Sequence, residues 1–404
     1  MAVYLDHAAT SPIRPEVLAA YTAALGVVGN PSSIHAAGQE ARMLLEEGRE
    51  RIARALGADA VEVVLTSGGT EAVNLGIKGL WWAALAADPR RRRILSTAAE
   101  HHAALDSVAW LERHEGAIVE HVPVDALGRM RLDALEAALA ERGGEVALIT
   151  MLHASNEVGT VQPVAEVAAL AARHGIPVHV DAVASLGQLP IDFHALRVAA
   201  LSVSAHKIGG PVGVGALLLA RSAVVEPLLH GGSQQRGRSG TQDAAGAAAF
   251  GLAAELATAS LPETAGRMAE LRDRLVAGIL ASVPGAVLRG DPEAAGRLPG
   301  NAHLTFAGCE GDSLLFLLDG AGFAVSTGSA CQAGVPEPSH VLLAMGVPEP
   351  EARGALRFTL GPETAEAEIE ALLSALPPAV EQARRAGLAA ARPLLGRRGE
   401  LSAS

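Results

Sequence analysis

Cysteine is nearly missing from this chain of 404 residues, which has two, Cys309 and Cys331. A disulfide framework therefore cannot organise the fold, and a reducing, cytoplasmic setting is expected. Positive charge is also in deficit. The formal net charge is −12, and an acidic surface repels phosphate backbones, so direct, non-specific nucleic-acid binding is not expected. The one tight basic run, Arg90 to Arg93, reads as a solvated loop ahead of a strand. No stretch of about 18 apolar residues is free of charges and turn residues, which argues against a membrane span. The opening, MAVYLDHAATSP, lacks a basic start followed by an apolar run, so no signal peptide is expected. Internal repeats are absent as well.

What is present is apolar. Hydrophobic residues make up 50% of the chain and charged residues 19%, enough for a sizeable buried core in one large domain plus a smaller one. Short apolar runs at 61–66, 93–97, 118–124, 146–152, 178–182 and 199–204 read as buried strands. Amphipathic patterns lie between them. In one, Ala41, Leu44, Leu45, Ile52 and Leu56 share a helical face and Gly57 marks its end. Others cover 73–85, 132–140 and 164–174. The alternation predicts an α/β fold, a mostly parallel sheet sandwiched by helices. Near residue 260 the pattern changes. Leu261-Pro262 interrupts an Ala-rich stretch, a helix is expected over 264–280, and shorter strands at 302–306 and 356–360 suggest a smaller α+β domain. The Ala/Arg/Gly-rich end, 382–404, reads as a helix fraying into a tail.

Four constellations carry chemistry. Thr66-Ser67-Gly68-Gly69-Thr70-Glu71 follows a strand and opens a helix, a turn whose free N–H groups suit a phosphate, although an ordinary strand-to-helix turn looks similar. His179-Val180-Asp181 ends an apolar strand in a carboxylate, at the edge where parallel sheets bind ligands; a helix cap or a surface Asp is the plainer alternative. Ser204-Ala205-His206-Lys207 ends the next strand, and glycines follow at 209, 210 and 213. A lysine so placed can hold an aldehyde cofactor. Ser326-Thr327-Gly328-Ser329-Ala330-Cys331 puts a thiol on a loop ahead of a turn-rich stretch, whereas Cys309, in a strand-like segment, suits a buried inert role. A phosphate cradle, a carboxylate and a lysine at strand ends are together what pyridoxal phosphate requires: the lysine takes the aldehyde, and the carboxylate keeps the ring nitrogen protonated.

These motifs resemble the cysteine desulfurase family, whose fold is that of the class V aminotransferases, which implies a large-domain sheet of the seven-stranded type. The likeness runs from Tyr4-Leu5-Asp6-His7-Ala8-Ala9-Thr10 to about residue 376. It includes Gly29-Asn30-Pro31-Ser32-Ser33 with His35, Asn156-Glu157-Val158-Gly159, Arg238-Ser239-Gly240-Thr241 and Arg357-Phe358. The resemblance implies a large cofactor-binding domain over 16–258, a small domain from 1–15 and 259–380 carrying the Cys331 loop, and a tail over 381–404. It implies Lys207 as the aldehyde-bound lysine, Asp181 on the pyridine nitrogen, and His101 stacked on the ring. Gly69, Thr70, Ser204 and His206 would lie at the phosphate, and Thr241 would reach it from the neighbouring subunit of a homodimer. Asn156 would lie beside ring and substrate. Arg357 would grip the substrate carboxylate, with Asn30 and His35 also at the substrate. The activity implied is conversion of L-cysteine to L-alanine, with sulfur held as a persulfide on Cys331. From there it would pass to an acceptor protein serving iron–sulfur cluster assembly or tRNA thiolation, with no metal in the site.

Two positions depart from the family pattern. Ala184 stands where Gln is usual, removing one donor to the cofactor's phenolic oxygen, worth roughly 0.5–1.5 kcal/mol. Ala205 stands where Gly is common, so its methyl group bears on the lysine loop. Related readings are a selenocysteine lyase, an aminotransferase of the same fold, and a non-catalytic sulfur-trafficking scaffold.

Overall fold

In a computed structural model that describes residues 2–328 and 337–390, with side chains to residue 385, the strands fall into three sheets. Cys331 and residues 391–404 lie outside the described residues. In chain order the strands are β1 (Val3–Tyr4), β2 (Val63–Thr66), β3 (Arg93–Ser96), β4 (Ile118–His121), β5 (Val146–Leu152), β6 (Val178–Asp181), β7 (Ala200–Ser204), β8 (Gly215–Leu219), β9 (Ala286–Leu288), β10 (Asn301–Phe306), β11 (Phe323–Ala324) and β12 (Ala355–Thr359). The helices are α1 (Pro15–Leu25), α2 (Ala36–Ala55), α3 (Gly69–Ala87), α4 (His102–Glu115), α5 (Leu132–Arg142), α6 (Val164–Ala172), α7 (Phe193–Leu196), α8 (Ala244–Ala259), α9 (Leu261–Ser282), α10 (Gly311–Gly320), α11 (His340–Ala344), α12 (Glu349–Ala352) and α13 (Glu366–Ala390).

The seven-stranded sheet runs β2-β8-β7-β6-β5-β3-β4. Every pairing is parallel except the two made by β8. Strands β5 to β8 are buried along their whole length, which explains why they read as unbroken apolar runs rather than alternating ones. On one face, Ile149, Met151, Val180, Leu201 and Leu218 join a core with Leu45, Ile52, Val167 and Phe250 from α2, α6 and α8. On the other, Leu217 and Leu219 pack against Leu75 and Leu80 of α3, while Ile94 and Leu148 meet Val73, Trp81 and Val108. In this sheet the six expected strands and the expected helices among them are present, and strand β8 is the addition. It sits between β7 and β2, so β2 still runs parallel to β7 and ends on the same edge.

A second core, containing Leu275, Ile279, Leu304, Phe306, Leu318, Phe358 and Leu372, lies around the antiparallel sheet β12-β10-β9. The break at Leu261-Pro262 separates two helices: α8 stops at Ala259, and α9 starts at once with its proline in the first turn, where the missing N–H costs nothing. Leu5 belongs to this second core, and β1 pairs with β11.

The basic run is less solvated than its composition suggests. Arg90 is in a turn with Asp88, but Arg93 opens β3, is buried, and pairs with Glu120 and Glu145 at 3.0 Å each. Arg91 donates to the carbonyls of Val146 and Gly175. These arginines close the amino-terminal edge of the sheet. Burial of a guanidinium is tolerated there because carboxylates and carbonyls satisfy it.

Helices α2 and α8 approach closely through glycine. A Cβ on Gly48 would lie 2.4 Å from the carbonyl carbon and oxygen of Ala247, and one on Gly251 would lie 2.6 Å from the Gly48 oxygen. Backbone cannot move aside as a side chain can, so Gly48→Ala is expected to destabilise the fold by about 1–3 kcal/mol. A lowered midpoint in chemical denaturation measures it.

Candidate active site

The carboxyl ends of β2, β3, β5, β6 and β7 meet along one edge of the large sheet, and the chain leaves each of them with a polar residue. A cavity of about 400 Å³ opens there. Gly69 and Thr70 border it after β2, His101 after β3, Asn156 after β5, Asp181 and Ala184 at and after β6, and His206 and Lys207 after β7. Ser326, Gly328 and Arg357 close it from the second sheet, and Ala8 and Ala9 from the N-terminal segment.

Lys207 is held by this N-terminal segment. Its ammonium donates to the Ala8 carbonyl and, at 2.8 Å, to that of Ala9. Burial, reinforced by the Arg357 charge, brings its pKa down to about 8 against the support of Asp181 and Asp6, so near neutrality more of it is the free amine than for an ordinary lysine. Ala205, ahead of it, is fully buried in the large core. Its amide donates to Val214 at 3.0 Å, so its methyl group is accommodated by packing.

Asp181 is buried at the end of β6, where Oδ1 accepts the Val183 amide at 2.9 Å. Burial raises its pKa, and His101 and Lys207 work against that rise. His101 caps α4, with Nδ1 accepting the Ala103 amide at 3.1 Å. Its ring is exposed into the cavity yet surrounded by protein, and this desolvation lowers its pKa. Behind it the Glu100 carboxyl, buried and receiving the Thr97 hydroxyl at 2.7 Å, is pushed up to about 8 by burial. His206 meets the Thr10 hydroxyl at 3.2 Å and is brought down to about 4 by burial and by Lys207.

The residues at the start of α3 fit a phosphate. The Ser204 Oγ is fully buried and has no hydrogen-bond partner among the described residues. A Cβ on Gly69 would fall 2.8 Å from Val183 and 3.4 Å from the Ser204 Cβ, so glycine keeps this cradle open. Gly68 caps α3 at φ 144°, in the left-handed half of the map where a side chain is strained. A buried hydroxyl without a partner, free helix N–H groups and an acid at the opposite end suit an anionic group on an aromatic ring. The residues present therefore fit pyridoxal phosphate. Ala184 borders the cavity as expected and offers no polar atom there.

Arg357, on β12, is buried. Nη1 donates to the Asn156 carbonyl at 3.0 Å and Nη2 to Asp6 Oδ1 at 2.9 Å, while Nε is buried without a partner among the described residues. Its backbone bridges Ser326, which places the approach to the Cys331 segment beside the arginine. Cys331 itself lies outside the described residues. Cys309 is buried, its sulfur 3.7 Å from the Val380 carbonyl and its thiol pKa raised by burial, in keeping with an inert role.

Three other expected site residues are not brought to the cavity by this single chain. Asn30 is exposed and accepts the Ser32 amide at 2.9 Å, and His35 caps α2 by accepting the Gly38 amide at 3.2 Å. Thr241 is exposed at the end of a segment held along β2. There the Gln235 side chain copies a strand partner, bonding Leu65 N at 3.0 Å and O at 2.7 Å, and Arg238 pairs with Glu71 at 2.9 Å. Conversely, the sequence reading assigned no role to Asp6, to the Ala8 and Ala9 carbonyls, or to Glu157. The Glu157 carboxyl is pushed up to about 7 by burial and accepts the Ser339 hydroxyl at 2.5 Å. All of these but Ser339 stand in motifs that carried the family likeness.

Comparison with known proteins agrees with this geometry. The class-V aminotransferase family model matches residues 3–372. An "IscS-like cysteine desulfurase" of Mycobacterium tuberculosis is 52% identical over 96% of this chain and 98% of that protein. A cysteine desulfurase of Cereibacter sphaeroides is 46% identical over 95% and 96%. Among solved structures, a NifS-like protein superposes with a TM-score of 0.86 at 35% identity, covering 95% of this chain and all of that one. SspA, solved in complex with cysteine, gives 0.76 at 32% identity over 90% of this chain. With likeness of this extent reaching from the first strand into the last helix, the chain belongs to the cysteine desulfurases of the class-V aminotransferase family.

Proposed function

We infer that the chain is a pyridoxal-phosphate-dependent cysteine desulfurase that turns L-cysteine into L-alanine and retains the sulfur as a persulfide on Cys331. The observation that carries this reading is the convergence of Asp181, His101 and Lys207 on one cavity at the ends of neighbouring strands. The cysteine-bound state of the relative SspA supports the substrate. Bound in the cavity, the cofactor would supply an aldehyde to receive an amino group and a ring that withdraws electrons from the carbon bearing it.

The protein's part follows from its own groups. Lys207 would hold the aldehyde and, once displaced by the substrate amine, move the proton at the substrate's α-carbon; its lowered basicity suits it to take that proton near neutral pH. Asp181 would sit against the ring nitrogen and favour its protonated form. Thr70, Ser204, His206 and the first turn of α3 would hold the phosphate. Arg357 would take the substrate carboxylate, and Asn156 would lie beside the ring and substrate. His101, kept neutral by burial, would stack on the ring and can accept the substrate thiol proton. The Cys331 thiolate attacks the substrate sulfur: an S–S bond forms, the C–S bond breaks, and its electron pair stays with the three-carbon fragment, which is protonated and leaves as alanine.

A homodimer would complete the site. Val28 and Ile34 are 84% and 91% exposed beside Asn30 and His35, an apolar surface that a second copy would cover. Thr241, outside its own cavity, would serve the partner's phosphate. Among the described residues no single helix is long and apolar enough to cross a membrane. With so few cysteines the enzyme would work in the cytoplasm and pass sulfur to a protein acceptor for iron–sulfur assembly or tRNA thiolation.

The direct test supplies purified protein with pyridoxal phosphate, L-cysteine and a thiol reductant. Alanine and sulfide should appear in equal amounts with no 2-oxo acid added. A requirement for a 2-oxo acid would make it an aminotransferase instead, and failure to form alanine under either condition would sink the reading.

A further inference from the structure

The N-terminal segment reaches both charged groups that the proposed chemistry needs. Leu5 is hydrogen-bonded on either side, its amide to Ala324 and its carbonyl to the Thr359 amide, and the Ala8 amide donates to the Thr359 hydroxyl at 2.9 Å. Further along, the Ser11 amide donates to the His206 carbonyl and the Ser11 hydroxyl to the Lys207 carbonyl at 3.0 Å. Residues 5–11 are thus fixed to the second sheet at one end and to the lysine turn at the other. Between these anchors the Ala8 and Ala9 carbonyls hold the Lys207 ammonium, and Asp6 holds Arg357.

Asp6 approaches the arginine from the wall. Ala8, Ala9, Lys207 and Arg357 border the cavity, but Asp6 does not. The guanidinium is therefore gripped at two corners, Nη2 by Asp6 and Nη1 by the Asn156 carbonyl, on a side chain that borders the cavity. A buried guanidinium on a side chain with several rotatable bonds would otherwise lose entropy each time it met a carboxylate. Arg357 is 5% exposed, and Asp6 is the one carboxylate with which it forms an ion pair among the described residues.

We propose that Asp6 is the positioning residue for the substrate-carboxylate arginine, fixing the Arg357 fork from behind so that the site selects ligands bearing a carboxylate. The inference rests on the desulfurase reading for the identity of the substrate, but its test is binding rather than turnover. The probes are 3-mercaptopropionate, which has the thiol and carboxylate of cysteine without its amine, and cysteamine, which has the thiol and amine without the carboxylate. Each is titrated calorimetrically into the cofactor-loaded full chain.

In Asp6→Ala, 3-mercaptopropionate should bind about tenfold more weakly, while cysteamine binds as it does to the unaltered protein. Asp6→Asn keeps an oxygen that can accept from Nη2, and should restore most of the lost affinity. With L-cysteine as substrate, KM should rise in Asp6→Ala in the same proportion, and kcat should stay within about threefold, because a positioning contact of this kind acts on ground-state and transition-state binding alike. Equal weakening of both probes would mean that Asp6 merely supports the fold, and would overturn the proposal. So would unchanged binding of 3-mercaptopropionate, or an Asn variant no better than Ala. A chain that binds 3-mercaptopropionate in this Asp6-dependent way but makes no alanine would refute the desulfurase reading and leave the role of Asp6 intact.

Discussion

Lys207→Ala should lower alanine formation by about 10³-fold or more, since on the proposed reading it removes the group that would hold the aldehyde and move the α-proton. The sequence makes this unusually clean to measure, because the chain has two lysines, Lys78 and Lys207. Lys78 lies on α3 with its ammonium over the Trp110 ring, 4.5 Å from the centroid, and does not border the cavity. Borohydride reduction of the loaded protein should therefore fix the cofactor's mass on the peptide containing Lys207 and leave the Lys78 peptide untouched. In Lys207→Ala no peptide should carry it. Labelling at Lys78 instead, or normal turnover without Lys207, would remove the basis of the proposed chemistry. The variant should fold: the segment whose carbonyls accept from Lys207 is anchored independently through Leu5, Ala8 and Ser11, and the lysine turn keeps its bonds to Ser11 and Arg14.

Cys331→Ala should lower sulfide release from L-cysteine by about 10³-fold, the scale on which removing a covalent nucleophile acts, without loss of the cofactor's absorbance. The two losses would differ in kind. Without Lys207 the cofactor would not be covalently held; without Cys331 it would be held and would still react with the amino group, but sulfur would have no acceptor. Trapping with an alkylating reagent after a single addition of L-cysteine should find the extra sulfur on the peptide containing Cys331 and none on Cys309, whose burial and raised pKa keep it from thiolate chemistry. Sulfide release from Cys331→Ala at the unaltered rate would exclude persulfide transfer through this thiol.

Most of the large sheet was legible in the sequence for a plain physical reason. Its strands are buried on both faces, so each is an uninterrupted apolar run, and the helices between them are amphipathic. The strand that escaped, β8, has the same apolar character in Gly215–Leu219, but it follows a glycine-rich loop and returns antiparallel, so no helix separates it from β7 to mark it. Strands β1 and β11 have two residues each, too few for a periodic signal; their pairing is set by residues some 320 positions apart. The site was legible where a polar residue ends an apolar strand, as with Asp181 and Lys207. It was less so where function rests on main-chain groups. The carbonyls of Ala8 and Ala9 leave no trace in residue type, and Asp6 looks like any turn acid until the fold brings it to Arg357. Asn30, His35 and Thr241 came from the family resemblance alone, and one chain leaves them outside the cavity.

The N-terminal strap also bears on how the protein is made. Residues 5–11 leave the ribosome well before their partners, which are Ala324, Arg357 and Thr359 at one anchor and His206 and Lys207 at the other. The lysine turn can form once the parallel sheet has assembled, but Arg357, 351 positions beyond Asp6, cannot be set until much later in synthesis. Such distant pairings are slow to close. A nascent chain stalled before residue 323 should accordingly hold its first strand unpaired, giving chaperones a short extended segment to guard until β11 and then β12 are made.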